Sequence, residues 1–469
     1  MTSPQALAGL WTQLGLPPAL LDDAHLTGAD PVLPSSFALG AAAQATIAAS
    51  GLAAAAIHHL RGGPRQTVAV DMRHAVTEFH SEDWMTADGT ARGDGWDRIA
   101  GVYPCRDGRW VRLHTNFPHH RAGVLALLDC GYDRAEVAAA LLQRDAIAFE
   151  DAAAAAGLCV TAQRSFAEWD AHPQGRAVQA EPLIAIERIG DAPPRPLPGA
   201  ADRPLAGVRV LDLTRVIAGP VCGRTLAAHG AEVLLITAPH LFNPAPLAID
   251  TGRGKRSAYL DLRQADARAT LAGLLAEADI IVQGYRKGAI AGHGFGPEQA
   301  AALRPGIVYV SLCAFGFTGP WAGRRGFDSL TQTASGFNTA EAEAAGEAKP
   351  RALPVQALDH ASGYLLAAGT LAALHRRATE GGSWHVRVSL ARTGHWLRGL
   401  GRVAEGLSQT APQRADITEF LEESDSGFGH LSAVRHAAIL SATPAHWTLP
   451  SMPRGSHPPS WTETGRRGD

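Results

Sequence analysis

Apolar positions sort the chain into a few long helices and many short strands. Between 361 and 378, small and apolar side chains (Leu365, Leu366, Ala372, Leu374) run nearly unbroken, and basic residues with Gly381-Gly382 close the stretch. Cations in a last turn and glycine just beyond it are helix stop signals. The segment Gln356-Ala357-Leu358-Asp359-His360 therefore opens a helix, with Asp359 at or beside its N-terminus. A second run, 40–60, is rich in alanine, ends in Arg61-Gly62-Gly63 and predicts another helix. Each is followed by a Val-x-Val strand, 67–71 and 386–389, and then by further helical spacing. Helix, double glycine and strand recur in the same order about 320 residues apart, which reads as an internal repeat. Ala38-Leu39-Gly40 aligns with Ala357-Leu358-Asp359 without a gap.

Between these two units the pattern changes. A strand at 109–114 and helices near 121–128, 133–142, 146–156 and 166–170 make a small α/β unit. Proline-rich sequence at 191–204 marks the clearest boundary in the chain. Beyond it the apolar strand 208–214 begins an alternation: strands at 232–236, 280–283 and 307–312, helices at 221–228, 264–277 and 298–303. Such alternation predicts an α/β protein with a doubly wound parallel, Rossmann-like sheet. The expected organisation is a repeat segment 1–94 packing on the large domain and a small α/β domain 95–190. The linker 191–204, a Rossmann-like domain 205–404 and a C-terminal extension 405–469 with one short helix near 417–423 follow.

Composition narrows the function classes. The 469 residues carry a net charge of −3, which offers no general field for nucleic acid or an anionic membrane. Five scattered cysteines without C-x-x-C spacing argue for a reducing compartment and against a zinc cage. No histidine shows ligand spacing with Cys or carboxylates, so no metal is expected. Gln44, Thr46 and Ser50 interrupt the apolar run of 41–57, which reads as a buried helix, and Met1-Thr-Ser-Pro shows no export signal. A cytoplasmic protein is expected. The first turn of the large sheet, Arg215-Val-Ile-Ala-Gly-Pro220, lacks the dinucleotide fingerprint.

Asp359 supports two readings. As a helix cap it contributes about 1 kcal/mol; as a carboxylate aimed by the helix end it is a nucleophile. The repeat separates them, because Gly40 fills the same position in the first copy. Glycine caps a helix nearly as well as aspartate, so only the nucleophile reading gives the second copy something unique.

Several stretches together resemble the family III CoA-transferases, the group that includes formyl-CoA and carnitine CoA-transferases and α-methylacyl-CoA racemase. They are 204–214 with Ala218-Gly219-Pro220, 254–262, 282–286 with Gly294-Phe-Gly296, 316–320, and 326–336, followed by the Asp359 helix. Residues 30–190 resemble the same family's later half, so the resemblance covers most of the chain in permuted order, as a fused and trimmed tandem would. It implies CoA transfer from an acyl-CoA thioester to a small carboxylic acid through aspartyl anhydride and aspartyl-CoA intermediates on Asp359. It implies coenzyme A contacts at Val216, Ile217, Leu260, Arg263, Tyr285 and Arg325, oxyanion donors around 216–219, and an interlocked homodimer. CoA enters as substrate; no tightly bound cofactor, nucleic acid or membrane is expected. Ala238 and Gly292 stand where the family carries basic residues, making Arg253, Lys255 and Arg286 candidate substitutes. Asp328 is a candidate for a supporting or purely structural hydrogen bond. Two alternatives stay open, an acyl-CoA racemase and a non-catalytic CoA-binding pseudoenzyme. Phe327 argues against the racemase, since that branch has a proton-transferring histidine there.

Overall fold

Ile280-Ile-Val282 is apolar on both faces, and Val210-Leu-Asp-Leu213 has one polar side chain, Asp212, paired with Lys255; the chain buries both in the middle of a seven-stranded sheet. The structure, a computed structural model, describes residues 1–91, 93, 95–197, 199 and 201–462. Positions 198 and 200 of the expected linker and the tip of the expected extension, 463–469, lie outside the described residues.

The sheet orders its strands Lys255–Tyr259, Glu232–Thr237, Arg209–Leu213, Ile280–Gln283, Val308–Cys313 and Ser383–Ser389, all parallel. Numbered from the first of them in the chain, this is the doubly wound order 3-2-1-4-5-6. A seventh strand, Ala185–Gly190, closes the edge antiparallel to Ser383–Ser389, so the sheet is mixed where a purely parallel one was expected. Its residues precede the large domain in sequence and reach that edge from the opposite direction.

Two long helices lie side by side, Ala357–Glu380 against this sheet and Leu39–Leu60 against the small sheet of Ala24–Thr27, Val68–Asp71 and Ile439–Leu440. Ala357–Glu380 packs along Leu39–Leu60 and also along Ala218–Ala228. Gly363 permits the second approach: a Cβ there would stand 2.7 Å from the Ala218 carbonyl oxygen. Leu39–Leu60 is long and apolar enough to cross a membrane, yet it is buried inside the protein. Its alanines let neighbouring helices come close on every face.

The stretch expected as one small domain divides. Strands Gly101–Pro104, Trp110–Leu113 and Val160–Ala162 form an antiparallel sheet backed by helices Pro118–Leu128, Arg134–Leu141 and Ala146–Ala155 around their own core. From Phe166 onward the chain returns to the large unit, where Pro173–Ala180 packs on Leu390–Gly399. The C-terminal region also departs from expectation. The short helix expected near 417–423 is a 3-10 turn, Arg414–Phe420, running into the hairpin Leu421–Ser426 and Gly429–Val434. That hairpin pairs with Thr86–Ala87, and Ile439–Leu440 pairs with Val68–Asp71 of the first half.

Candidate active site

Asp359 occupies the third position of its helix, which begins at Ala357. It is therefore not the cap. Asp328, the first residue of the helix Asp328–Ser335, does that work from another part of the chain. Its carboxylate accepts the backbone N–H of Leu358 at 2.8 Å and of Asp359 at 2.9 Å, and the Gln332 side-chain amide as well. With its backbone secured this way, the Asp359 side chain is released to face a cavity, retaining 7% of its accessible surface.

The first long helix starts in the same manner. Ala38 precedes it at φ −76°, ψ 63°, against φ −77°, ψ 62° at Gln356. Asp30 accepts the N–H of Gly40 and of Ala41, each at 3.0 Å. Matched on these caps, Ala41 rather than Gly40 stands where Asp359 does, one residue away from the sequence alignment of 38–40 with 357–359, and Ala41 is buried. A Cβ on Gly40 would lie 2.3 Å from Asp30 Oδ1 and 2.6 Å from Met72 Sδ, so no side chain fits.

The Asp359 cavity measures about 280 Å³ and has walls from both halves of the chain. Glu82, Trp96, Arg112 and His114 face it from the first half; Val216, Ile217, Phe327 and Asp328 face it from the second. Strand alternation explains the first wall: Val111 and Leu113 point into the small unit's core, which turns Arg112 and His114 outward. The His114 ring stacks on Phe327 at 3.8 Å between centroids. Burial, with Arg112 and His120 nearby, pushes the His114 pKa down to about 3, so its imidazole is neutral. His360 turns away from Asp359, stacking on Phe79 and placing Nε2 3.0 Å from Glu82 Oε2.

Charge in this cavity opposes ionisation of the candidate nucleophile. Burial, then the carboxylates of Asp328 and Glu82, push the Asp359 pKa well above the usual carboxylate range. The helix dipole acts in the other direction. Asp328 is also raised by burial, to about 6, but its three N–H partners favour its charged form. Of the pair, Asp328 ionises first.

The expected coenzyme A contacts fall in three places. Val216 and Ile217 line the Asp359 cavity. Val216 adopts φ 75°, a left-handed conformation that costs a β-branched residue roughly 1–3 kcal/mol. Its N–H is taken by Asn243 Oδ1 at 3.2 Å, which leaves the first turn of the helix Ala218–Ala228 as the nearer source of open N–H groups. Leu260, Arg263 and Tyr285 line a second cavity of about 130 Å³ at the carboxyl ends of the sheet. Arg325 lies in neither; with Arg286 and Arg324 it lines a third, of about 300 Å³, beside the small unit.

Arg215 joins the first two cavities. Its guanidinium carbon lies 5.4 Å from the Tyr285 ring centre and 5.5 Å from that of Phe117, which lines the Asp359 cavity. It follows strand Arg209–Leu213 and Tyr285 follows Ile280–Gln283, the adjacent pair at which the strand order reverses. Open α/β sheets bind ligands at that switch point. Sequence reading did not select Arg215, Arg112, His114 or Glu82. For Arg215 a signal existed, its place directly after the first strand; the others are brought in by chain folding across the two halves. Two suggested substitutes for the missing cations are committed elsewhere. Lys255 Nζ is buried 2.8 Å from Asp212 Oδ2, and Arg253 is buried 2.7 Å from Asp250 Oδ1.

A doubly wound sheet with a carboxylate facing a cavity beside its switch point is a frame for binding a ligand there. The model of CoA-transferase family III matches residues 19–194 and 205–424, and the chain belongs to this family. It is 29% identical to an acyl-CoA transferase of Gibberella moniliformis, over 79% of this chain and 73% of that one. It is 35% identical to the acetyl-coenzyme A transferase nodX of Hypoxylon pulicicidum over 43% of this chain, which spans only 34% of that protein. A succinate–glutarate CoA-transferase of Agrobacterium fabrum is 31% identical over 40% of this chain and 51% of its own length. Among solved structures, a CaiB/BaiF family protein from Brucella suis aligns at 27% identity and TM-score 0.39, covering 49% of this chain and 65% of that one.

Proposed function

We propose that the protein is a CoA-transferase that moves coenzyme A from an acyl-CoA to a carboxylic acid, with Asp359 as the nucleophile. The supporting observation is the contrast between two alike helix starts. One presents the Asp359 carboxylate to a cavity shared by both halves, and the other carries the buried methyl of Ala41 at the matching position. Together with the two matched stretches flanking the proline-rich segment, this contrast supports a duplicated, permuted arrangement that retains one working site per chain.

In the proposed cycle an Asp359 oxygen bonds to the thioester carbonyl carbon, the C–S bond breaks, and CoA leaves as thiolate. The thiolate then attacks the Asp359 carbonyl carbon of the mixed anhydride, releasing the first acid as carboxylate and leaving an aspartyl-CoA thioester. The incoming carboxylate displaces the thiolate to form a new anhydride. Thiolate attack on the new acyl carbon gives the product thioester and restores the Asp359 carboxylate. Covalent half-steps replace one difficult exchange. The nucleotide is read as lying in the cavity of Leu260, Arg263 and Tyr285, with the diphosphate against Arg215 and the pantetheine end directed past Val216 and Ile217. Arg325 contributes from the neighbouring cleft. No long-range field steers the substrate, so these few cations supply its phosphate contacts.

The test is Asp359→Asn. It should abolish CoA exchange, and hydroxylamine trapping during turnover of the wild-type chain should modify the peptide containing Asp359. Exchange persisting in Asp359→Asn would remove the nucleophile assignment. Asn is also expected to stabilise the fold at neutral pH. A carboxyl whose pKa is raised by folding contributes stability below its unfolded pKa and loses it as pH rises through the folded one.

One observation favours a second reading, proton transfer at the α-carbon of an acyl-CoA: His114 lies against Phe327, close to where the racemase branch carries its histidine. Deuterium uptake from D₂O into a 2-methylacyl-CoA would support it. The transferase reading expects none.

A further inference from the structure

Val216 is held where a valine is disfavoured. Among the described residues, Asp88, Asp129, Val216 and Glu405 are the non-glycine positions with positive φ, and Val216, at 75°, is the only β-branched one. Such a conformation persists only where the surroundings over-determine it. Both flanks of the turn are fixed. Before it, Asp212 accepts the Thr214 backbone N–H at 3.0 Å, and a Cβ on Gly219 would stand 2.5 Å from Thr214 Cγ2. After it, Lys255 Nζ donates to the Pro220 carbonyl at 2.8 Å. The Ala218 carbonyl lies against Gly363, one turn beyond Asp359 in the same helix, where no Cβ would fit. Between these anchors the Val216 N–H donates to Asn243 Oδ1 at 3.2 Å, and the adjacent Phe242 carbonyl accepts Arg215 Nη1 at 3.0 Å. The effect on the cavity is specific. In an extended chain, neighbouring side chains take opposite faces, yet Val216 and Ile217 both line the Asp359 cavity. A left-handed residue between strand and helix breaks that alternation.

We infer that Asn243 is a positioning residue for CoA transfer: by holding the Arg215–Ile217 turn left-handed, it keeps Val216 and Ile217 together on the wall past which the thioester reaches Asp359. This rests on the transferase reading above and adds to it a residue that does not meet substrate. Asn243 lies outside the Asp359 cavity, lining a small one behind the turn with Thr214 and Lys255. It therefore acts through Val216. Without its acceptor oxygen the valine regains the extended region that its branched side chain favours, and Val216 and Ile217 part to opposite faces. An unstrained turn would not depend on one bond. A strained one stands between two conformers, and a single hydrogen bond can tip their balance.

The test is a double-mutant cycle on the full chain, using CoA exchange from acetyl-CoA, butyryl-CoA and octanoyl-CoA to propionate. Asn243→Ala should lower kcat by about 10-fold or more, with melting close to wild type because released strain offsets the lost bond. Val216→Gly supplies a residue that takes a positive φ at no steric cost. In that background the Asn243→Ala penalty should shrink to about 2-fold or less, which a merely structural role would not produce. An equal penalty in both backgrounds, no penalty in the Val216 chain, or a large drop in melting in both would overturn the inference. No exchange by wild type with any donor, and no trapped Asp359 adduct, would instead remove the transferase reading. Calorimetric titration of CoA over the same four chains then decides the role of Asn243 alone. Affinity lost in Asn243→Ala and regained with Val216→Gly supports it; affinity unmoved by Asn243→Ala, or no binding to wild type, overturns it.

Discussion

Two aspartates perform one task in different surroundings, and this makes their removal informative. Asp328 and Asp30 each accept two backbone N–H groups at the start of a long helix. Asp328 is 1% exposed, whereas Asp30 is only half-buried. Replacing Asp328 by Ala leaves the buried N–H groups of Leu358 and Asp359 without their acceptor. Loss of a cap costs roughly 0.5–2 kcal/mol and each enclosed unsatisfied group roughly 1–3. These figures overlap, so the expected destabilisation is about 2–4 kcal/mol. At Asp30, water can replace the lost carboxylate, and Asp30→Ala should cost about 1 kcal/mol. Urea titration measures both, provided the slope of the transition is unchanged. The variants should also differ in the pH dependence of CoA exchange. Asp328→Ala removes a negative charge that raises the Asp359 pKa, so the acid limb of the residual activity should move to lower pH; Asp30→Ala should leave that limb in place. Equal stability losses would refute the role given to burial. An unmoved acid limb in Asp328→Ala would refute the electrostatic coupling of the two carboxylates.

Two further predictions follow from the same map. Glu82→Gln removes the other carboxylate that raises Asp359, so the acid limb of kcat/KM should again shift to lower pH, read from initial rates across the acid range. Lys255→Met leaves Asp212 buried without its ion-pair partner and should cost about 3–5 kcal/mol in chemical denaturation; a loss confined to CoA affinity would instead restore Lys255 as a ligand.

What the sequence made legible was whatever depends on neighbours in the chain. The 357–380 helix carries its stop signals within itself, and the alternation after 205 predicts a doubly wound parallel sheet, though not the edge strand Lys255–Tyr259. The Asp328 cap was not visible, because it bridges 30 residues to meet Leu358 N–H and appears in the sequence only as one aspartate after Phe327. Arg112 lies on a strand that was recognised, but which of its faces meets Asp359 depends on how the small unit docks. The hairpin that begins at Leu421 overlaps the helix expected near 417–423, and Leu-Glu-Glu-Ser-Asp-Ser offers no β-branched residue to signal a strand. Pairing with Thr86–Ala87 overrides that local preference. Strand Ala185–Gly190 falls within the expected small domain 95–190 yet pairs with the large sheet, a partner nearly 200 residues away that no local pattern announces.

The pairing of Val68–Asp71 with Ile439–Leu440, and of Thr86–Ala87 with Gly429–Val434, also sets a timetable for biosynthesis. At ribosomal rates of about 5–20 residues per second, the early strands wait roughly 20–70 s for their partners to be translated. Throughout that interval the nascent chain presents unpaired backbone edges beside an apolar helix, Leu39–Leu60, whose companion Ala357–Glu380 is itself late to emerge. Nascent-chain holding factors, rather than final stability, would then govern how much of this protein a cell obtains.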